Sequence, residues 1–423
     1  MNNSLTLDKF VKSIHERTFK MDKEQLPKLS NYRWVILAIA ALMDVISNYV
    51  QFQISALATQ IMPALHITPP QFSSLLMAPM LIAVFLSIPA GSLADKFGAK
   101  RVVSIGCIIS VIGAFGRLFA KDFWSMMIML LMFGVYMSLL NANTIKIFGI
   151  WFKQDTNMAM GVFFASAGVG AALSQITGSF FPSVNAAYIF SSLVLLILAI
   201  CWILFVKDAP KGENIQKEQT VDSESTIKYF EVAAKSKKTW LIAICGGLGS
   251  AASTAFSGIL PQAFAARGMS DATAGIIASV ASFGSLFGAL MGPAIIAKLK
   301  KAKGFMISVT LVSAILMAIT WFVPAGLPLV ISLVAGGLFG SMTGPIMQAM
   351  PIQFPEIGPK YAGSAGGLIG TVTLLLAYVV PILISLIAGR SYIFTFFIQG
   401  IVIALTAIFI AILPDANNVN KRR

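Results

Sequence analysis

Apolar runs of roughly twenty residues recur along this chain, each long enough to cross the hydrocarbon of a bilayer as a helix. Twelve segments read this way, at about 33–56, 71–93, 101–120, 123–147, 158–182, 185–206, 239–263, 271–297, 304–323, 326–352, 361–388 and 391–413. They are called spans 1 to 12 below. Backbone groups in lipid must be hydrogen-bonded within the structure, which leaves only helices or a closed barrel. The runs are continuous rather than alternating, so the barrel is excluded. The expectation is an all-α polytopic membrane protein. Composition agrees: 11% of the 423 residues are charged, against about 25% in a soluble protein.

The net charge of +14 does not call for a nucleic acid, because the basic residues follow a topological pattern. With a cytoplasmic N-terminus, the inner segments hold the basic residues of 1–33, Lys96, Lys100, Arg101, Lys153, the seven lysines of 207–238, "KLKKAK" at 298–303, Lys360 and the terminal Lys421, Arg422 and Arg423. The outer ends keep only Arg117, Lys121, Arg267 and Arg390. This asymmetry places both termini in the cytoplasm and the protein in the cytoplasmic membrane. The expected units are an N-terminal arm (1–32), a six-helix bundle (33–206), a cytoplasmic linker (207–238) with a short helix after Ser225, a second bundle (239–413) and a tail (414–423). The arm has Leu7, Phe10, Val11 and Ile14 at helical spacing among basic residues. It reads either as a helix on the inner membrane surface or as a disordered basic tail. The first thirty residues are polar and charged, so span 1 is expected to serve as its own insertion signal.

The halves show traces of a repeat. With a shift of 202, Phe152 meets Phe354, Gly161 meets Gly363 and Gly168 meets Gly370. With a shift of 206, Trp34 meets Trp240. Internal repeats of this kind mark secondary transporters.

Between spans 2 and 3 stands "GSLADKFGAKRV". Gly91, Leu93, Asp95, Lys96, Gly98, Lys100 and Arg101 resemble the signature loop of the major facilitator superfamily, with Ala99 where a basic residue is common. The resemblance extends over residues 33–413. It implies two pseudo-symmetric six-helix bundles, and spans 1, 4, 7 and 10 around a central cavity. It also implies an ion-pair network of Asp95 with Lys96, Lys100 and Arg101 that holds the halves together on the cytoplasmic side and opens during transport. Gly91 and Gly98 suit close approach and a tight turn. The matching loop of the second half, "GPAIIAKLKKAK", lacks the aspartate, so the gate is expected to be asymmetric.

Asp44 is the only acidic residue deep within a span, where a charge costs about 2.5–3.5 kcal/mol on insertion scales. Ser47, Asn48, Gln51 and Ser55 follow it at +3, +4, +7 and +11, on one helical face. Polar residues of spans 4, 7 and 10 complete the expected substrate and proton pathway: Asn141, Asn143 and Lys146, then Ser253 and Ser257, then Gln348. A carboxyl that takes a proton on one side and releases it on the other would couple transport to protons. The competing reading is a permanent pairing of Asp44 with Asn141, Asn143 or Lys146 that only locks helices, and Lys146 also reads as a residue snorkelling to the inner interface. Gly161, Gly168, Gly363 and Gly370 in spans 5 and 11 are expected to pack the halves together.

The chain is loosely similar to the anion-porter side of the superfamily, which includes nitrate and oxalate/formate transporters. The arginines of nitrate porters in spans 2 and 8 are missing here, as are the basic residues of oxalate/formate exchangers in spans 8 and 11. The expected function is proton-coupled symport or exchange of a small polar metabolite, with an organic carboxylate favoured. Proton-driven efflux of an amphipathic compound and a non-transporting solute receptor are the alternatives. No nucleophile–base pair, metal cluster or cofactor loop is visible. Cys107, Cys201 and Cys245 lie in apolar runs without paired spacing, and His15 and His66 are isolated. An enzyme, a cofactor and a bound metal are therefore not expected. The expected partners are a small-molecule substrate, protons and the lipid bilayer, with a functional monomer.

Overall fold

The computed structural model describes residues 30–210, 231–299, 302–350, 354 and 358–413. The chain is a multi-pass bundle of apolar helices. Span 1 is Tyr32–Ala56, span 2 Pro69–Phe97, span 3 Ala99–Gly116, span 4 Phe123–Phe152, span 5 Thr156–Thr177 and span 6 Val184–Phe205. Span 7 is Lys237–Ala266, span 8 Asp271–Lys298, span 9 Ala302–Ile319, span 11 Gly358–Ala388 and span 12 Tyr392–Ile412. Span 10 differs from the single run expected at 326–352. It breaks into Leu327–Ser341 and Gly344–Ala349, with Pro345 in the first turn of the second piece. Proline lacks the amide that would continue the first helix. Among the described residues eleven spans are long and apolar enough to cross a membrane, and span 9 is the shorter one. At 18 residues it still rises about 27 Å. The predicted linker helix and arm fall largely outside the described residues, although 231–235 is helical.

Local signals fix the helix ends. Asp122 begins span 4 by accepting from Ser125 N at 2.9 Å, and Ser125 Oγ reaches back to Asp122 N, a reciprocal cap. The Ser125 amide holds the Asp122 carboxyl below its ordinary range. That contribution is therefore present above the usual carboxylate pKa and lost as the pH falls through the depressed value. Ser183, Ser270 and Ser391 cap spans 6, 8 and 12 in the same way, each by its hydroxyl.

The helix pairings repeat between the halves. Span 1 packs on 5 as 7 packs on 11, and 2 on 4 as 8 on 10. Spans 3 and 12 likewise meet 6 and 9 in matching pairs. Contacts between the halves obey the same symmetry, with span 2 against 11 and span 5 against 8. The sequence repeat is thus a structural one, and Trp34 and Trp240 are both exposed at the start of their halves. Each half has its own aromatic core, with Tyr136, Phe148, Phe163 and Trp202 in the first and Phe256, Phe264 and Phe396 in the second. Outward faces carry apolar rows such as Ile105, Ile108 and Ile112 or Leu193, Ile197, Ile200 and Leu204. Exposed apolar area on this scale would be a liability in water and is what lipid solvates.

Glycines set the closest approaches, mostly inside each half. A Cβ at Gly284, Gly288 or Gly292 would overlap the carbonyl oxygens of Val334, Leu338 and Met342, so spans 8 and 10 touch backbone to backbone every fourth residue. Gly170 lies equally close to Val45 O in span 1. The expected packing between halves is met only at Gly168, which faces Ser282 and Leu286 of span 8. A Cβ added at Gly161 or Gly370 would meet nothing within 4 Å, because the halves are parted at their level. The surroundings of Gly363 lie outside the described residues.

Candidate functional site: a buried carboxyl where the halves part

Two ends of the bundle behave differently. At the end away from the termini, the halves are joined by hydrogen bonds. Ser55 Oγ donates to Gly258 O, Gln175 Nε2 to Ser257 O at 3.0 Å, and Thr59 Oγ1 to Asp271 Oδ2 at 3.2 Å. Ser74 and Tyr378 share a hydrogen bond of 2.9 Å, and Ser73 pairs with Ser385. Leu76 of span 2 fills the space against Gly258 of span 7. Toward the end that holds the termini, a Cβ added at Gly161 on span 5 or at Gly366, Gly367 or Gly370 on span 11 would meet no described atom within 4 Å. The bundle is closed distally and open proximally.

Asp44 lies at the junction. It is the thirteenth residue of span 1, about 18 Å along a helix of about 37 Å. One residue on, Val45 meets Gly170 of span 5, and Gly168 of that span meets span 8. The faces of span 1 explain how Asp44 points. Ser47 donates to Tyr136 Oη of span 4 at 3.1 Å and to Met43 O. Tyr49 bonds Thr177 of span 5, and Gln53 donates to Ala187 O of span 6 at 2.9 Å. The face of Asp44, Asn48, Gln51 and Ser55 is the one directed away from span 6. Higher on that face Gln51 Nε2 donates to Leu76 O at 3.3 Å, and Ser55 crosses to span 7. Of the polar stripe read from the sequence, Ser55 thus reaches the opposite half, while Ser47 and Gln51 meet spans 4 and 2 of their own half.

The Asp44 side chain is 4% exposed. Asn48 Nδ2 donates to its Oδ1 at 3.3 Å and to its backbone O at 3.0 Å. Its Oδ2 accepts from no described residue, and neither does Gln51 Oε1. The pairing alternative is not what the geometry shows. Asn143 donates to Leu139 O at 2.8 Å and Ala90 O at 3.4 Å, Lys146 Nζ donates to Gly91 O at 2.8 Å, and Asn141 lies on an exposed strip with Ile145 and Gly149. Asn143 and Lys146 thus tie span 4 to span 2. Ser253 is half-buried on span 7, and Ser257 contributes its carbonyl to the distal closure. The side chains of Gln348 and Asp95 lie outside the described residues.

The signature loop is held within the first half. Gly98 turns at φ +86°, a conformation that favours glycine. Asp208, just after span 6, accepts from Lys100 N at 2.7 Å and so caps span 3. A Cβ at Gly98 would sit 3.1 Å from Asp208 Oδ2. Lys96 stands over Phe97 at 5.3 Å and Arg101 is exposed. Nearby, Arg33 pairs with Asp155 at 3.0 Å. None of these described contacts of the loop reaches the second half, as befits an end where the halves are apart. Asp208→Ala should lower stability by about 1 kcal/mol, as loss of a helix cap does. Asp208→Asn, which keeps an acceptor, should restore most of it in thermal melts of the purified protein.

Sequence reasoning missed two features. Asp208 had a weak signal as an acid two residues before a proline at the end of a span. Arg117, placed at the outer interface, is 2% exposed. Its Nη2 donates to Ser191 Oγ at 3.1 Å, its Nη1 to Gln53 Oε1 at 3.4 Å, and its guanidinium lies 4.4 Å from the Tyr188 ring centroid. The cation links spans 1, 3 and 6 through neutral acceptors and a ring face.

These features define a polytopic helical membrane protein of two pseudo-symmetric halves. The sequence model of the Major Facilitator Superfamily matches residues 37–377, and the chain belongs to that family, whose members are transporters and not enzymes. It is 20% identical over 221 residues to the galacturonate transporter of Dickeya chrysanthemi, covering 51% of this chain and 64% of that protein. It is 26% identical over 193 residues to the nitrate/nitrite transporter NrtP of Nostoc punctiforme, covering 42% and 38%. The chain thus spans less than two thirds of the length of either curated relative. Among solved structures, the D-xylose-proton symporter superposes with a TM-score of 0.72 at 13% identity, over 91% of this chain and 99% of that one.

Proposed function

We propose that the protein carries a small polar metabolite, with an organic carboxylate favoured, across the cytoplasmic membrane by alternating access coupled to protons. The observation that carries this reading is the Asp44 carboxyl, buried on the central face at the level where closed and open parts of the bundle meet. A group at that level can be exposed to either side by a rocking of the halves. Its uncommitted oxygen suits a proton or a substrate donor. The lysine and arginine distribution makes the proximal end cytoplasmic, so the described conformation is inward-open. The two curated relatives are named for anionic solutes, which supports a carboxylate. The missing arginines in spans 2 and 8 argue against nitrate itself.

Uptake into proteoliposomes across a panel of sugars, organic acids and amphipathic drugs, with and without an imposed pH gradient, tests the proposal. Saturable uptake of a carboxylate that the gradient stimulates is expected. Drug extrusion with no metabolite uptake would overturn it.

A further inference from the structure

The distal closure is not flush. Above the Ser73–Ser385 hydrogen bond lies a cleft of about 640 Å³ between span 2 and spans 7, 11 and 12, within the usual size of small-molecule sites. Its charged lining is cationic: Arg390 is exposed there, beside the exposed His66 ring, and no described carboxylate lines it. Its floor is neutral and hydrogen-bonding, with Gln262, Ser385 and Thr395 all buried. Tyr392, stacked on Trp321 at 5.6 Å, forms an aromatic wall.

Beneath it, and sharing Ser73, Gln262, Ser385 and Thr395, is a cavity of about 20 Å³, room for one water or one hydroxyl. Gln399 lines this inner cavity, is 1% exposed, and its Oε1 accepts no hydrogen bond from any described residue. A buried amide oxygen without a donor is costly unless something supplies one. The inner cavity ends on Leu76, whose carbonyl accepts from Gln51 on the Asp44 face. The inner cavity therefore borders a residue held by Gln51, on the same face of span 1 as Asp44 and about 10 Å further along it.

We infer that this cleft is an outer binding site for a hydroxylated carboxylate, with Arg390 taking the carboxylate and Gln262, Thr395 and Gln399 taking hydroxyls, loaded before Leu76 and Gly258 separate. The inference rests on the transport reading above, and names the chemistry its substrate shows on the outer side. A cation at the mouth selects anions, and the neutral amides and hydroxyls at the floor select hydroxyl groups.

The test is calorimetric titration of the purified protein with D-galacturonate and with its neutral counterpart D-galactose, on wild type, Arg390→Gln, Gln399→Ala and Asp44→Asn. D-galacturonate should bind wild type. Its affinity should fall about tenfold in Arg390→Gln, the worth of one charge-assisted contact, and should fall again in Gln399→Ala. D-galactose should bind more weakly and ignore Arg390→Gln. Binding that survives Arg390→Gln and Gln399→Ala but is lost in Asp44→Asn would overturn the outer site while leaving the central one standing. No binding to wild type would also overturn it, and the uptake panel then decides separately whether the transport reading falls with it. Because Arg390 is exposed, its replacement should not impair folding, and a melting curve on each variant checks this.

Discussion

Asp44→Asn should abolish accumulation driven by a pH gradient while sparing exchange of substrate down its own gradient. One pH unit supplies about 1.4 kcal/mol per proton, enough for about tenfold accumulation by a one-proton carrier. The amide imitates the protonated acid, and its oxygen can still accept from Asn48, but it has no proton to release. Net uptake should therefore fall to equilibration, with counterflow continuing. Helix locking would give another pattern: poor expression, and intact coupling in whatever survives. Direct binding of a cationic substrate group would make both modes fail together with affinity. Net uptake and counterflow measured on one purified variant separate these outcomes. Full proton-driven accumulation by Asp44→Asn would remove the coupling role.

Gly288→Val should be the most destabilising of the glycine substitutions. Its Cβ would fall on the carbonyl oxygen of Leu338 and beside Ser341 Oγ, and both belong to the partner helix, whose backbone cannot yield locally. Overpacking of this kind costs about 3 kcal/mol. The apparent melting temperature should drop by about 2–4 °C per kcal/mol for a unit the size of one half. Gly161→Ala is the control. It meets nothing within 4 Å and gains up to about 1 kcal/mol of helix propensity. Equal melting temperatures for the two variants would mean that spans 8 and 10 do not pack through their glycines.

Much of this architecture was legible in the chain, because membrane helices advertise themselves by length and composition. The burial of the polar stripe on span 1 was legible too, since such a stripe at helical spacing has few places to go in lipid. Sequence spacing served less well for glycines. Gly161 and Gly370 sit in the same kind of motif as Gly168, yet which of them touches a neighbour depends on how far the halves are parted, a tertiary quantity. Arg117 looked like an interface cation because it ends a span. Only the meeting of Gln53, Tyr188 and Ser191 from two other helices gives it a buried place. The distal contacts had no signal at all: Ser73 and Ser385 are 312 residues apart and of a type common throughout the chain. Span 10 could have been divided at Gly344 and Pro345, since proline marks such breaks.

The character of the distal closure bears on the conditions the carrier tolerates. Four of its five described hydrogen bonds join neutral groups, and the fifth, Thr59 to Asp271, pairs a hydroxyl with a carboxylate. Neutral contacts contribute about 1 kcal/mol each, and dissolved ions do not screen them as they screen charge pairs. On the transport reading proposed above, this closure should open and close at nearly the same rate in dilute and in salty surroundings. A gate of this make would keep its timing through sudden changes of ionic strength, whereas one bolted by ion pairs would loosen as salt rises.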